Sequence, residues 1–225
     1  SAIGVAKSPE KIFSRLNKLN LPLQHSFKSN AIHLEDSGFY KIYDYGFTIF
    51  FDCGDIGPSY LPGHGHADSL SLELSYLDQR IFVNLGTSEY KKGSRRDFER
   101  GTMAHSTLSV NNKNSSEIWD SFRVGNRAKV INSTLNNQTN TTSIIGEHNG
   151  YNFIEKNLTH QRKIEIDKFQ ISIIDKLTRS GHSAIVKFHL HPDIDISCNN
   201  ENKCGVLILP NGNKIEWIAE CEKIY

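Results

Sequence analysis

The chain has 225 residues, with 26 Lys and Arg against 25 Asp and Glu, so its formal net charge is only +1. That balance leaves no electrostatic footprint for nucleic acid. Hydrophobic (37%) and aromatic (10%) shares fit a β-rich globule rather than a disordered chain. No apolar run approaches the roughly 20 residues that a membrane-spanning helix needs.

The N-terminus, Ser1-Ala2-Ile3-Gly4, has neither the charged nor the apolar region of a signal peptide. It also lacks a starting methionine, which reads as a processed product or a fragment. Pro9 to Leu19 then predicts a short amphipathic helix, with Ser8 as N-cap, Pro9 at the first helical position and Ile12, Phe13, Leu16 and Leu19 as its apolar stripe. After a polar connector, Phe39–Tyr43 and Phe47–Phe51 read as strands around the turn Asp44-Tyr45-Gly46. Strands recur over 70–76, 80–84, 106–110, 127–132 and 143–147. They continue over 158–166, 170–177 and 184–191, and a hairpin around Asn211-Gly212 closes the series. A dozen or so short strands with a single helix predict an all-β fold, a large antiparallel β-sandwich with a short N-terminal helix.

The four cysteines, Cys53, Cys198, Cys204 and Cys221, form no CxxC pair and read mainly as free thiols, although Cys198 and Cys204 flank one turn. The histidines carry the chemistry. His64, His66 and Asp68 stand at alternate positions just before the strand Ser71-Leu72-Glu73-Leu74-Ser75, and His105 precedes another strand. Alternate residues of an extended chain share a face, so these three side chains are expected to point together. Such a set suits acid–base chemistry or metal ligation; its inert alternative is a hydrogen-bonded polar turn. Between two strands, Thr87 to Thr102 is strongly basic and carries Tyr90, Arg95, Arg96 and Arg100. It reads either as a solvated loop or as a rim whose guanidinium forks suit carboxylate or sulfate. Phe188-His189-Leu190-His191 reads as a satisfied polar row, Trp119 as a core anchor or a sugar-stacking platform, and Arg127 as a structural strand residue. His148 and Tyr151 sit at a turn and are candidates for lining a cleft.

Several stretches resemble one family in order: PGHGHADSLSLELS, IFVNLGTSEY, RRDFERGTMAHSTLSVNNKNSSEIWDSFRVGNRAKV, and then GYNFIEKNLTHQRKIEI with ISIIDKLTRSGHSAIVKFHLHP. They are similar to the heparinase II/III-like polysaccharide lyases. The resemblance implies an α/α toroid followed by a β-sandwich, with the active cleft between them. Residues 1–35 are then a helical linker or toroid remnant, and 36–225 the sandwich. It implies cleavage of an anionic, uronic-acid polysaccharide by β-elimination. The uronate carboxylate is neutralised, the C5 proton goes to a Tyr or His base, and a tyrosine returns a proton to the leaving glycosidic oxygen.

By the same resemblance, His64 corresponds to the histidine that the sandwich contributes to the cleft, assigned as the catalytic residue here. Tyr90, Arg95, Arg96 and Arg100 are the expected substrate-binding set. His66 and His105 match two histidines that hold a mainly structural zinc in some members. The third ligand there is an aspartate, and Asn84 occupies its place, a neutral amide that weakens the expected zinc site. The proton-transfer residues of the toroid have no counterpart in this sequence, so little or no lyase activity is expected from this chain alone. The family's setting is bacterial and periplasmic or extracellular. The competing reading is a non-catalytic carbohydrate-binding or assembly module. A free-standing zinc hydrolase is disfavoured by Asn84 and by the lack of a general base.

Overall fold

The computed structural model describes residues 8–21 and 30–221. The chain start, most of the polar connector and the last four residues lie outside them. Ser8 precedes α1 (Pro9–Lys18), as the cap and proline positions require. On its stripe Ile12, Phe13 and Leu19 are exposed.

Two antiparallel meanders make the sandwich. The first has the order β1 (Ala31–Leu34), β2 (Phe39–Asp44), β3 (Phe47–Asp52), β4 (Leu72–Tyr76) and β5 (Gln79–Phe82). After α2 (Ser94–Arg100) come β6 (Leu108–Val110), β7 (Ile118–Trp119) and β8 (Arg123–Val124). The second meander follows as β9 (Val130–Asn137), β10 (Thr141–His148), β11 (His160–Asp167) and β12 (Ile171–Leu177), in that spatial order. Then β13 (Ala184–Val186) pairs with β6, and β14 (Asp195–Asn199), β15 (Cys204–Ile208) and β16 (Lys214–Ile218) form a three-stranded sheet.

Alternation explains how the sheets meet. Along β10 and β11 every second residue is buried. Ile144, Ile164 and Ile166 join Ile42, Ile49, Phe51 and Leu74 of the first sheet in one core, with Leu207 and Leu209 closing a flank. Gly146 lies on the same inward row. A Cβ there would sit 2.5 Å from Leu70 Cδ2 and 2.7 Å from Cys53 Sγ, so the close approach of the sheets requires glycine.

At one end of the inward row the apolar residues give way to His148, His160 and Arg162, all fully buried. Their bonds form one chain with a single consistent proton arrangement. The Gly150 amide donates to His148 Nδ1 (3.0 Å), His148 Nε2 donates to His160 Nδ1 (3.1 Å), and His160 Nε2 donates to Asp175 Oδ1 (2.6 Å). Arg162 lies directly across the ladder from Asp175 and forks onto both its oxygens at 2.8 and 2.9 Å. Burial would raise the Asp175 carboxyl, but the Arg162 charge and the bonds from His160 and Arg162 hold it far below its ordinary range. Burial pushes both histidines below 6.5, so they are neutral at pH 7.

The additional strands β1, β7, β8 and β14 fall where the sequence offers weak alternation. Helix α2 lies inside the stretch read as a loop, because its buried residues are charged rather than apolar. Cys53, Cys198 and Cys204 form no disulfide, and Cys198 faces Gly205 across the hairpin rather than Cys204.

Two outcomes follow from the buried chain. Arg162→Ala leaves a buried carboxylate without its cation and is expected to destabilise the fold by about 3–5 kcal/mol in urea unfolding at pH 7. His148 and His160 have folded pKa values depressed below 6.5, so the unfolded chain binds protons that the folded one refuses. Stability is therefore full above pH 6.5 and lost as pH falls below it, approaching about 1.4 kcal/mol per pH unit for each histidine. His148→Gln should flatten that slope in urea midpoints measured from pH 7.5 to 5; an unchanged slope would mean that other groups govern the acid limb.

Candidate functional site

The loop from Gly63 to Leu70 joins β3 to β4 and is held from two sides. Fully buried Arg100 donates from Nε and Nη2 to the Gly65 carbonyl at 3.1 and 3.0 Å, and its nitrogens also reach the carbonyls of Trp119 and Arg123. Thr102 Oγ1 donates to the Ala67 carbonyl (2.7 Å), Thr107 Oγ1 to that of Ser69 (2.9 Å), and the Ala67 amide to that of Arg100 (2.8 Å). Helix α2 places Arg96, Glu99 and Arg100 on one buried face, because residues three and four apart share a side of a helix. Glu99 accepts from the Ser88 amide (3.0 Å), the Ser88 hydroxyl and Arg95 Nε (3.2 Å). Burial opposes ionisation of this carboxyl, but those bonds carry its pKa down to about 2.

This scaffold brings His66 and His105 together, with His66 Nδ1 3.3 Å from His105 Nε2. His105 is fully buried, and its Nδ1 has no hydrogen-bond partner among the described residues. Burial, reinforced by the Arg96 and Arg100 charges, pushes His66 down to about 4. Burial and the neighbouring His66 push His105 down to about 3. Both imidazoles are therefore neutral at pH 7, the form that ligates metal. Asp68 completes the group: its carboxylate and the two ring nitrogens offer ligand atoms all within 4.8 Å of one another.

Asn84 stands apart from that trio in its bonding, since its Oδ1 accepts the Gly86 amide at 2.9 Å. It lines a small cavity of about 80 Å³ with Asp52 and Asp68. Burial raises Asp52 to about 6, and burial with the Asp52 charge raises Asp68 well above the usual carboxylate range. A cation beside Asp68 would relieve that penalty. The 3.3 Å nitrogen separation matches the edge of a tetrahedron with zinc–nitrogen bonds of about 2.0–2.1 Å. Donor type, protonation state and spacing thus fit a zinc-sized ion, with Asp68 nearer the part expected of Asn84.

His64 is exposed, in contrast to His105. Its ring packs edge-on against Tyr90 (5.5 Å) and Phe122 (5.6 Å), which stack on each other at 6.0 Å. Behind them Arg96 is fully buried, with its guanidinium 5.2 Å from the Tyr90 ring and 5.9 Å from Phe122. Arg96 Nη1 donates to Thr87 Oγ1 at 3.0 Å and lies 3.4 Å from His66 Nε2, while its Nε and Nη2 have no partner among the described residues. Of the predicted basic rim, Arg95 is exposed and tied to Glu99, Tyr90 is exposed beside His64, and Arg96 and Arg100 are interior.

Other singled-out residues resolve plainly. His189 Nε2 donates to the Met103 carbonyl at 3.2 Å, a satisfied polar group, and Trp119 is half exposed. Arg127 lies between β8 and β9 rather than in a strand, and it donates to the Ser59 carbonyl. Sequence reasoning missed Thr87, Glu99 and Asp52, and the only signal for Glu99 was its helical spacing from Arg96 and Arg100.

No curated protein matches the chain. Among solved structures, heparan sulfate lyase HepC from Pedobacter heparinus superposes with a TM-score of 0.67 at 17% identity, over 92% of this chain and 32% of that one. The heparinase III BT4657 gene product gives 0.68 at 18% identity, with the same two coverages. The chain thus spans about a third of the length of these structures, and at such identity they share its fold. The family described as heparinase II/III-like, C-terminal, matches residues 28–223, nearly the whole sandwich with its histidine loop, and the chain belongs to that family.

Proposed function

We propose that this sandwich is one half of a polysaccharide lyase that cleaves a uronic-acid polymer by β-elimination, its other half being a helical toroid. The observation that carries the reading is the cluster around His64. An open imidazole is braced by two stacked aromatics and backed by a buried guanidinium, two of whose nitrogens have no partner among the described residues. A uronate carboxylate placed against His64 meets that positive field in a partly dry setting, where charge pairing is strong. Neutralising the carboxylate acidifies the C5 hydrogen. Loss of that proton forms the C4–C5 double bond, the C4–O bond breaks, and the leaving oxygen takes a proton. His64 contributes to the carboxylate or to proton transfer, and the base and the acid come from the toroid. The chain alone is then nearly inactive. In its two-domain form His64→Ala should lower kcat/KM by about 10²- to 10⁴-fold, read as the ultraviolet absorbance of the unsaturated product. A toroid-bearing protein that yields no such product from any uronate polymer would sink the reading.

His66, His105 and Asp68 are the residues that would hold zinc, and its service there is to brace the loop bearing His64. Two neutral imidazoles and one carboxylate suit that ion, with His66 Nε2 free to donate to Thr87 Oγ1 at 3.3 Å. Metal analysis of the purified chain should give about one zinc. His66→Ala and His105→Ala should lose it, and Asp68→Asn should weaken binding by about 10- to 100-fold or more. Asn84→Ala should weaken it far less. A metal-free wild type would leave the trio as a hydrogen-bonded histidine pair beside a carboxyl whose ionisation burial opposes.

A further inference from the structure

A second cavity, of about 300 Å³, is lined by Asn126, Arg127, Asn149, Gly150, Asn152 and Phe153. That volume lies at the low end for ligand pockets, roughly 300–1,000 Å³, and suits one sugar ring rather than a long segment. We infer that it is a saccharide subsite for an anionic sugar unit remote from the bond being cleaved, an inference that rests on the reading of the chain as part of a polysaccharide lyase.

Three observations carry it. The first is the lining, which holds three amides and a guanidinium and no acidic side chain. Asn126 and Asn152 have no side-chain bond to a described residue, and Arg127 spends only Nη2, on the Ser59 carbonyl at 3.1 Å. Amides that both donate and accept suit sugar hydroxyls, and the spare edge of a guanidinium suits a carboxylate or sulfate. The second is Phe153, which is 52% exposed at the mouth, an apolar face for the C–H side of a pyranose ring.

The third is that the floor is built. A Cβ on Gly150 would lie 2.3 Å from the Ser115 carbonyl oxygen and 2.7 Å from Ala128 Cβ, so this part of the lining packs directly against the segments behind it. The Gly150 amide is bonded to buried His148, while Asn149 Oδ1 takes the Lys129 amide at 3.0 Å, which fixes the walls. The cavity also belongs to the His64 end of the sandwich. Arg127 bonds Ser59, a few residues before His64, and Gly63 would place a Cβ 3.2 Å from the Phe122 carbonyl, four residues before Asn126. Both contacts tie the segments that line the cavity to the loop that carries His64.

The test is titration of the 225-residue chain with uronate-containing tetrasaccharides, sulfated and unsulfated, followed by NMR shifts and calorimetry. A neutral tetrasaccharide of similar size serves as control. Binding is expected to shift the amides of Asn126 to Lys129 and Asn149 to Phe153. Arg127→Ala and Asn152→Ala should weaken it about tenfold or more. Lys168→Ala removes an equal charge at the opposite end of β11 and should change it less than twofold. Asn152→Ala breaks no side-chain bond to a described residue, so a loss there is not misfolding. Preference for the sulfated ligand identifies sulfate as the anion at Arg127, and equal binding identifies the carboxylate. Wild-type affinity in both cavity variants, equal binding of the neutral sugar, or no binding at all would overturn the subsite. Elimination by the two-domain protein would stand regardless, just as binding here would survive a failure to find elimination.

Discussion

The pairing of Arg162 with Asp175 is the constraint on which the site depends. Arg162 lies on the second sheet, yet its Nη1 donates to the carbonyls of Leu70 (2.9 Å) and Ser106 (2.6 Å). Leu70 ends the loop that carries His66 and Asp68, and Ser106 follows His105. One guanidinium thus ties both ligand-bearing segments to the far sheet. Such a charge cannot lie in a dry interior uncompensated, and Asp175, fixed by ladder register and by His160, compensates it. The same clamp explains Leu70, a fully buried residue at φ +59°. That left-handed conformation costs on the order of 1–3 kcal/mol and persists only where the surroundings impose it. Here the amide bonds the Asp52 carbonyl, the carbonyl bonds Arg162, and the side chain fills the space that Gly146 leaves open.

Three buried arginines divide the work. Arg162 and Arg100 spend their donors on backbone carbonyls and a carboxylate, and these two are architecture. Arg96 differs: it is equally buried, but Nε and Nη2 find no partner among the described residues, and its charge rests on the faces of Tyr90 and Phe122. Leaving such donors unpaired is costly, and the cost falls when an anion arrives. This contrast, rather than the count of basic residues in the stretch, is what sets Arg96 apart from the other two.

The sandwich was legible in the sequence because short runs of β-branched and aromatic residues separated by turn signals mark β2, β3, β11 and β12, and the Asn211-Gly212 turn is unambiguous. The pairing of His66 with His105 came from the motif and its family resemblance, since nothing local predicts contact across 39 residues. Helix α2 escaped because its buried face is Arg96, Glu99 and Arg100, and hydrophobic periodicity is blind to charged residues that bury by pairing. Extended geometry was the expectation for His64 to Asp68, with one shared face. The segment is instead irregular, so His66 and Asp68 turn inward to His105 while His64 turns to Tyr90 and Phe122. Asp52 was unreadable for a different reason: its strand pattern placed it, but its coupling to Asp68 arises only when β3 meets the loop.

The His66 ring joins the two halves of the cluster, its Nδ1 facing His105 and its Nε2 facing Thr87 and Arg96. Without a cation, the His66 Nδ1 proton can be donated to His105 Nε2, and Nε2 then accepts from Arg96 or Thr87. With the Nδ1 lone pair engaged by an ion, His66 must carry its proton on Nε2. That nitrogen then donates to Thr87 Oγ1 and no longer accepts from Arg96. Arg96 loses one acceptor, keeps its bond to Thr87, and holds more of its donor capacity unspent on the side of Tyr90 and Phe122. A structural ion at the trio would therefore sharpen the positive field behind His64 without touching substrate, because a neutral imidazole has only one proton to give.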